Sequence, residues 1–145
     1  MKVILIQGKA NTGKTTLCNR IDEWLLNVKK FSIEDREPKT STSKIEDFKA
    51  IYSKKIDTKE IRIILNSSSD TLKIIDDFKR YYVNNQNNGY DMFVTTIRSP
   101  KNVKLNKEVK GIYAPQSEDL VIDMEKSLEE IVNQIQKFFH IVKNL

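Results

Sequence analysis

The chain has 145 residues, of which 39% are hydrophobic and 31% charged, with a formal net charge of +5. This length predicts one domain over residues 1–145 with a single core. No apolar run reaches the roughly 18 residues that cross a bilayer, and the first apolar stretch is too short for a secretion signal, so we expect a cytoplasmic protein without membrane association. The basic charge favours anionic partners, and the oligomeric state stays open.

The first predicted elements are a strand and a helix separated by a loop that contains two glycines. Lys2–Gln7 is a short apolar run that ends at Gly8, which is typical of a strand buried on both faces. Beyond the loop, apolar residues recur at helical spacing. These are Leu17, Ile21, Trp24, Leu25 and Val28.

The middle of the chain predicts two strands and two helices. Residues 31–35 indicate a short strand that enters a polar segment, and residues 60–66 form the clearest second core strand. Between them, a helix is predicted over residues 43–52 with Ser43 as its N-cap, from the helical spacing of Ile45, Phe48, Ile51 and Tyr52. A helix with one apolar face follows the second core strand. Its apolar residues are Leu72, Ile75, Phe78 and Tyr82.

The last third begins with a predicted strand over residues 91–97, and residues 98–111 then look basic and irregular. A short strand at 120–123 precedes a capping box of Ser127 and Glu130, which predicts a final helix. Strands alternating with helices indicate an α/β fold with three α/β/α layers and a mostly parallel sheet.

The glycine loop, GKANTGKTT over Gly8–Thr16, matches the pattern G-x-x-x-x-G-K-[ST]. Glycines let successive N–H groups turn towards a phosphate, while Lys14 adds a charge between the β- and γ-phosphates. Thr15 can offer its hydroxyl to Mg²⁺ at the start of the helix. This predicts a P-loop NTPase fold that binds ATP or GTP with Mg²⁺. The expected nucleotide-binding residues are Gly8, Asn11, Thr12, Gly13, Lys14, Thr15 and Thr16.

The second metal ligand is harder to find, because the strand over residues 60–66 ends in Asn66 rather than aspartate. We predict that Asp70 completes the metal shell with Thr15; the alternative is that the segment from Asn66 to Asp70 caps the next helix. Arg98 is predicted to be catalytic, closing over the phosphates at the start of the basic stretch. Its alternative is a solvated turn before Pro100.

A charged segment follows the predicted second strand. In an open α/β sheet the carboxyl ends of strands lie beside the phosphate site, so Asp35 is predicted to be a catalytic carboxylate that orients the metal's water or takes a proton. Arg36 and Glu37 are predicted to bind the acceptor, since a guanidinium grips phosphate in a bidentate manner. The alternative is an exposed charged loop.

Four segments resemble P-loop nucleoside and nucleotide kinases. VILIQGKANTGKTTL resembles their first strand, phosphate loop and helix, and REPKT resembles the R-E-P-G-G-T segment of thymidylate kinases. VTTIRSPKN is similar to the V-T-D-V-R-F-x-N-E segment of phage-type deoxynucleoside monophosphate kinases. DLVIDMEKSLEEIVNQI is similar to the last strand and helix of several small-molecule kinases, dephospho-coenzyme A kinase among them. The resemblance implies transfer of the γ-phosphate of ATP to a small acceptor.

Two functions follow from these patterns. The first is a small kinase that phosphorylates a nucleotide, nucleoside or similar acceptor. The second is a nucleotide-binding module or weak NTPase that acts as a switch for a protein partner, because no conventional metal-binding aspartate is visible. A nucleic-acid-directed NTPase is compatible with the basic charge but is not favoured, since aromatic residues are not interleaved with a basic patch.

Overall fold

The computed structural model describes residues 1–9, 12–39, 46–113 and 118–124, together with residues 126, 130, 133, 134, 136 and 137. Asn11 of the glycine loop and Ser127 of the predicted capping box lie outside the described residues, as does most of the predicted final helix. The elements are β1 (Lys2–Gln7), α1 (Lys14–Asn27), β2 (Ser32–Glu37), β3 (Lys49–Ile56), β4 (Lys59–Asn66), α2 (Leu72–Asn84), β5 (Met92–Ile97), α3 (Val103–Lys110) and β6 (Glu118–Asp123).

All six described strands form one sheet in the order β2-β3-β4-β5-β1-β6. β1 pairs in parallel with β5 and β6, and β4 pairs in parallel with β5. The pairs β2–β3 and β3–β4 are antiparallel. The predicted α/β class with a mostly parallel sheet is therefore confirmed.

The sheet is covered on both faces, because its strands send alternate side chains in opposite directions. Ile4 and Ile6 of β1 pack in one cluster with α1, whereas Val3 and Leu5 pack in a second cluster with α2 and α3. This arrangement is compatible with three α/β/α layers. Among the described residues, no helix combines the length and apolar character needed to span a bilayer.

The helix predicted over residues 43–52 is wrong where the structure describes it. β3 occupies Lys49–Ile56, with Ala50 and Tyr52 in the α1 cluster and Ile51 in the α2 and α3 cluster. A strand buried on both faces has no polar alternation, so its apolar residues also satisfied a helical spacing. The regular alternation of strands and helices fails here, since β2, β3 and β4 follow one another without an intervening described helix.

The basic segment after β5 is more regular than predicted. Residues Val103–Lys110 form α3, and the Asn102 side chain accepts a hydrogen bond from the backbone N–H of Leu105 as its N-cap. Val109 and Asn106 are buried, and the Asn106 amide donates to the carbonyl of Arg98 at 2.8 Å. The segment after Arg98 is therefore a packed helix rather than an irregular loop.

One edge of the sheet collects the carboxyl ends of five strands. β2 and β4 both run antiparallel to β3, so β2 runs in the same direction as the parallel strands. The register aligns Glu37, Lys49, Asn66, Thr95 and Leu5 across the sheet. The glycine loop leaves β1 just beyond this line, and the segment that enters β3 lies at the same edge because β3 runs the other way.

Candidate functional site

In the glycine loop, Gly13 has a backbone conformation that favours glycine, and Gly8 has little room for a side chain. Gly13 has φ of 88°, in the left-handed region, and is the N-cap of α1 without a side-chain cap. A Cβ at Gly8 would lie 2.7 Å from the Thr12 Oγ1 and 3.3 Å from the Met124 Cβ. The loop therefore approaches β6 closely, and the first amides of α1 face the carboxyl edge without a capping side chain.

Lys14 lies inside this loop. Its Nζ donates to the carbonyl oxygen of Gly8 at 2.8 Å and lies 3.6 Å from the Asp70 Oδ1, and the residue is 6% exposed. Burial lowers the pKa of the Lys14 ammonium, an effect opposed by Asp70 and reinforced by Arg98. The Lys14 ammonium, which is the cation predicted to bind the β- and γ-phosphates, thus lies beside the Gly8 carbonyl in the glycine loop.

Arg98 and Asp70 meet Lys14 at the carboxyl edge, after β5 and β4. The predicted catalytic role of Arg98 and the predicted metal role of Asp70 stay predictions. The Arg98 Nη1 lies 3.8 Å from the same Asp70 Oδ1 that faces Lys14. Asp70 is not the cap of α2, because Thr71 is the N-cap and its hydroxyl accepts from the backbone N–H of Ile74. One carboxylate therefore sits between two cations.

Thr15, the predicted metal ligand, contacts a carboxylate that the sequence did not predict. Its Oγ1 donates to the Asp47 Oδ1 at 3.1 Å and lies 3.5 Å from the Ser67 carbonyl oxygen. Asp47 stands just before β3, within the segment predicted to be helical. Because β3 lacks alternation of apolar and polar residues, no local pattern indicates a strand there. Nothing local in the sequence pairs Asp47 with Thr15 either, since 32 residues separate them.

The two remaining described threonines of the loop have different surroundings. The Thr12 hydroxyl donates to the carbonyl of Lys9 at 2.8 Å. Thr16 is exposed in the first turn of α1. Their predicted contacts with nucleotide stay predictions.

Asp35 is not brought to the glycine loop. It lies on β2, an edge strand that three strands separate from β1, and it pairs with Ile51 of β3. Its Oδ2 accepts a hydrogen bond from the Tyr81 hydroxyl at 2.7 Å. The geometry therefore gives Asp35 a structural partner on α2 and offers no support for its predicted catalytic role.

Arg36 and Glu37, the predicted acceptor-binding pair, point to different surroundings. The Arg36 Nη1 lies 3.1 Å from the Asp22 Oδ1, and its guanidinium stacks on the Phe48 ring at 4.4 Å. Asp22 also accepts a hydrogen bond from the Tyr52 hydroxyl, so Arg36 is part of a buried network beneath α1. Glu37 is 54% exposed at the carboxyl edge, where its carboxylate pairs with Lys49.

The serine-rich segment after β4 is held by hydrogen bonds, with one exception. The Asn66 amide donates to the Ser68 carbonyl and to the Thr95 hydroxyl, the Ser67 hydroxyl accepts from the Phe48 N–H, and the Ser69 hydroxyl contacts that of Thr96. The Ser68 Oγ is buried and finds no hydrogen-bond partner among the described residues. A buried polar group left in this way costs about 1–3 kcal/mol.

Two cavities open at the carboxyl edge beside the loop. The larger, about 220 Å³, is lined by residues that include Glu37, Asp47, Asn66, Ser68 and Asp77. The smaller, about 120 Å³, is lined by residues that include Gly8, Thr12, Lys101 and Asp123. Asp47 joins the larger cavity to Thr15, whereas Gly8 and Thr12 border the smaller one.

The oxygen-bearing side chains at this edge fit a Mg²⁺ ion that takes most of its ligands from water and substrate phosphates. No cluster of three or more His, Cys, Asp or Glu side chains occurs within the described part of the chain. Mg²⁺ commonly takes one or two carboxylates or hydroxyls and completes its octahedron with waters and substrate phosphates. Thr15 and Asp47 satisfy that pattern, because a hydroxyl that donates its proton to a carboxylate keeps its lone pairs for a cation.

Comparisons with known proteins do not extend these observations. No family model matches the chain, and neither the curated proteins nor the solved structures contain a match. The function must therefore be argued from the site itself.

Proposed function

We propose that the chain is a P-loop phosphotransferase that binds ATP or GTP with Mg²⁺ at the glycine loop and transfers the γ-phosphate to a small acceptor. The observation that carries the proposal is the placement of two consecutive residues. Lys14 and Thr15 begin a helix without a side-chain cap, and each faces a carboxylate at the carboxyl edge of the sheet. Amides at a helix N-terminus together with a lysine suit a polyphosphate.

The cations have distinct roles in this proposal. Lys14 moves from the Gly8 carbonyl to the β- and γ-phosphates, and Arg98 stabilises charge on the transferred group. Asp70 holds both cations at the edge through one oxygen atom. We therefore assign Asp70 to positioning these cations, and its predicted role as a metal ligand is secondary.

Mg²⁺, when bound, would neutralise charge on the phosphates. Thr15 would hold it through the hydroxyl, and Asp47 would orient that hydroxyl by accepting its proton in a hydrogen bond. Asp47 then supplies the carboxylate that the strand end at Asn66 lacks.

The two cavities favour a kinase over a switch. A switch needs one nucleotide site, whereas a kinase needs a second ligand beside the γ-phosphate. Asp47, which contacts Thr15, lines the larger cavity, whereas Gly8 and Thr12 line the smaller one. The arrangement suits a nucleotide in the loop and an acceptor in the larger cavity.

The test is calorimetric binding of Mg²⁺ and a non-hydrolysable ATP analogue to Lys14→Ala and to Lys79→Ala. Loss of a charge-assisted contact of about 1.5–3 kcal/mol predicts that Lys14→Ala weakens binding by roughly 10- to 150-fold. Lys79 is exposed on α2, so its substitution should leave the affinity unchanged. Equal affinities for both variants and the natural chain would contradict the proposal.

A further inference from the structure

We propose that the larger cavity binds an acceptor that carries a free hydroxyl and no phosphate group. This inference rests on the proposed function, which supplies the phosphoryl donor, and it narrows the acceptor to neutral or cationic molecules. It concerns the cavity of about 220 Å³ between the end of β2, the entry to β3 and the start of α2.

The first observation is the buried Ser68 hydroxyl. Ser68 is 5% exposed, lines the cavity, and its Oγ has no hydrogen-bond partner among the described residues. Its neighbours Ser67 and Ser69 both have partners. A hydroxyl left unsatisfied at a cavity wall is explained by a ligand that supplies the missing partner.

The second observation is the charge of the lining. Among the described lining residues, carboxylates come from Glu37, Asp47 and Asp77, and an ammonium comes from Lys49. Lys49 already pairs with Glu37 at 3.4 Å. Asp77 pairs with Arg80, which is 70% exposed and screened by water. The negative lining repels a phosphate monoester and favours donors such as hydroxyl and ammonium groups.

The third observation is the contact between the cavity wall and the proposed metal ligand. Asp47 lines the cavity and accepts the Thr15 hydrogen bond at 3.1 Å, so the cavity adjoins the proposed site of Mg²⁺ and the γ-phosphate. An acceptor hydroxyl there attacks the γ-phosphorus, forming an O–P bond. The bond to the β,γ-bridging oxygen breaks, its electron pair stays on the nucleoside diphosphate, and the hydroxyl proton passes to water.

Matched pairs of compounds test this inference by binding. Thymidine, adenosine and glucosamine are compared with thymidine 5′-monophosphate, AMP and glucosamine 6-phosphate, with and without Mg²⁺ and a non-hydrolysable ATP analogue. We expect at least one unphosphorylated compound to bind about tenfold or more tightly than its phosphate, because like charges repel in a partly desolvated site. Tighter binding by the phosphates, or no binding by any of the six, would overturn the inference.

Two serine variants test whether the acceptor binds in the larger cavity. Ser68→Ala should weaken the preferred compound about five- to tenfold through the lost hydrogen bond, with the affinity for the ATP analogue unchanged. Its melting temperature should not fall, because the hydroxyl has no partner in the described structure. Ser53→Ala, on β3 four residues along the strand from Lys49, should change neither affinity. Unchanged binding in Ser68→Ala would place the acceptor elsewhere.

Failure of this inference differs from failure of the proposed function. If the ATP analogue binds in a Lys14-dependent manner while the phosphorylated compounds bind better, only the acceptor class is wrong. If the analogue fails to bind but Ser68-dependent acceptor binding persists, the cavity is a ligand site and the kinase proposal fails.

Discussion

The two halves of the sheet contribute different charged groups to the carboxyl edge. The cations that meet at Asp70 come from the parallel half, whereas two of the three carboxylates lining the larger cavity come from the antiparallel half. The parallel half, with β1, α1 and β5, supplies Lys14 and Arg98. The antiparallel half, with β2 and β3, supplies Glu37 and Asp47. Phosphate chemistry needs cations on the transferred group, whereas a metal-orienting group and a hydroxyl acceptor need carboxylates. The site therefore depends on a junction between two architectures rather than on the glycine loop alone.

The largest expected effect is a loss of stability on substitution of Arg36, a residue of the antiparallel half with a structural rather than an acceptor-binding role. Arg36→Ala removes one partner of a mostly buried ion pair with Asp22, in which the side chains are 16% and 12% exposed. Loss of a partner from such a pair should lower the free energy of unfolding by about 2–4 kcal/mol, measured by urea denaturation.

The matched substitution is Arg80→Ala, since Arg80 is 70% exposed and pairs with Asp77 at the surface. A surface pair of this kind should change stability by about 0.5 kcal/mol or less. Affinity for the ATP analogue should stay unchanged in folded Arg36→Ala. If Arg36→Ala kept its stability but lost acceptor binding, the result would support the predicted role of Arg36 in binding the acceptor.

The next effect is a loss of nucleotide affinity when the contact between Thr15 of the parallel half and Asp47 of the antiparallel half is weakened. Asp47→Asn removes the negative charge that orients the Thr15 hydroxyl, so affinity for the ATP analogue with Mg²⁺ should fall about 10- to 100-fold. Calorimetry with EDTA in place of Mg²⁺ should show little difference from the natural chain.

Asp57→Asn is the control for that charge change. Asp57 is exposed in the turn between β3 and β4 with φ of 56°, a conformation that asparagine tolerates. The Asp57→Asn variant should bind the ATP analogue with the same Mg²⁺ dependence as the natural chain. An equal loss in both variants would point to net charge instead of the Thr15 contact.

The smallest effect concerns alkaline stability of the contact between α2 and β2. Burial, followed by the hydrogen bond to Asp35, raises the pKa of Tyr81 in the folded chain. Tyr81→Phe should cost about 1 kcal/mol at neutral pH through the lost hydrogen bond.

The sign of the pH dependence follows from that raised pKa. The unfolded chain releases the tyrosine proton from about pH 10, while the folded chain keeps it, so stability falls as the pH rises above about 10. Tyr90, whose pKa is raised to about 12 by burial, acts in the same direction. Denaturation at increasing alkaline pH should show a shallower decline in Tyr81→Phe, and an unchanged slope would contradict this cause.

The parallel half could be predicted from local sequence. β1, the loop and α1 follow directly from an apolar run, two glycines and helical spacing, and Lys14 lies where the motif places it. Asp70 and Arg98 reach the loop because parallel strands bring their carboxyl ends to one edge. Each of these inferences needs only short-range patterns and the rule of parallel strands.

The antiparallel half could not be predicted in this way. Phe48, Ile51 and Tyr52 fit a helical face because β3 is buried on both sides. The sequence pattern therefore does not place Asp47 at the carboxyl edge, and it predicts Asp35 too close to the loop. Strand pairing over long sequence separations decides both positions, and one sequence does not record that pairing.

The most direct measurement is a crystal structure with a non-hydrolysable ATP analogue and Mg²⁺. We expect the β- and γ-phosphates against the first amides of α1, the Lys14 Nζ moved from the Gly8 carbonyl to phosphate oxygens, and Mg²⁺ on the Thr15 hydroxyl beside Asp47. A triphosphate bound elsewhere, with Lys14 still on Gly8, would contradict the account.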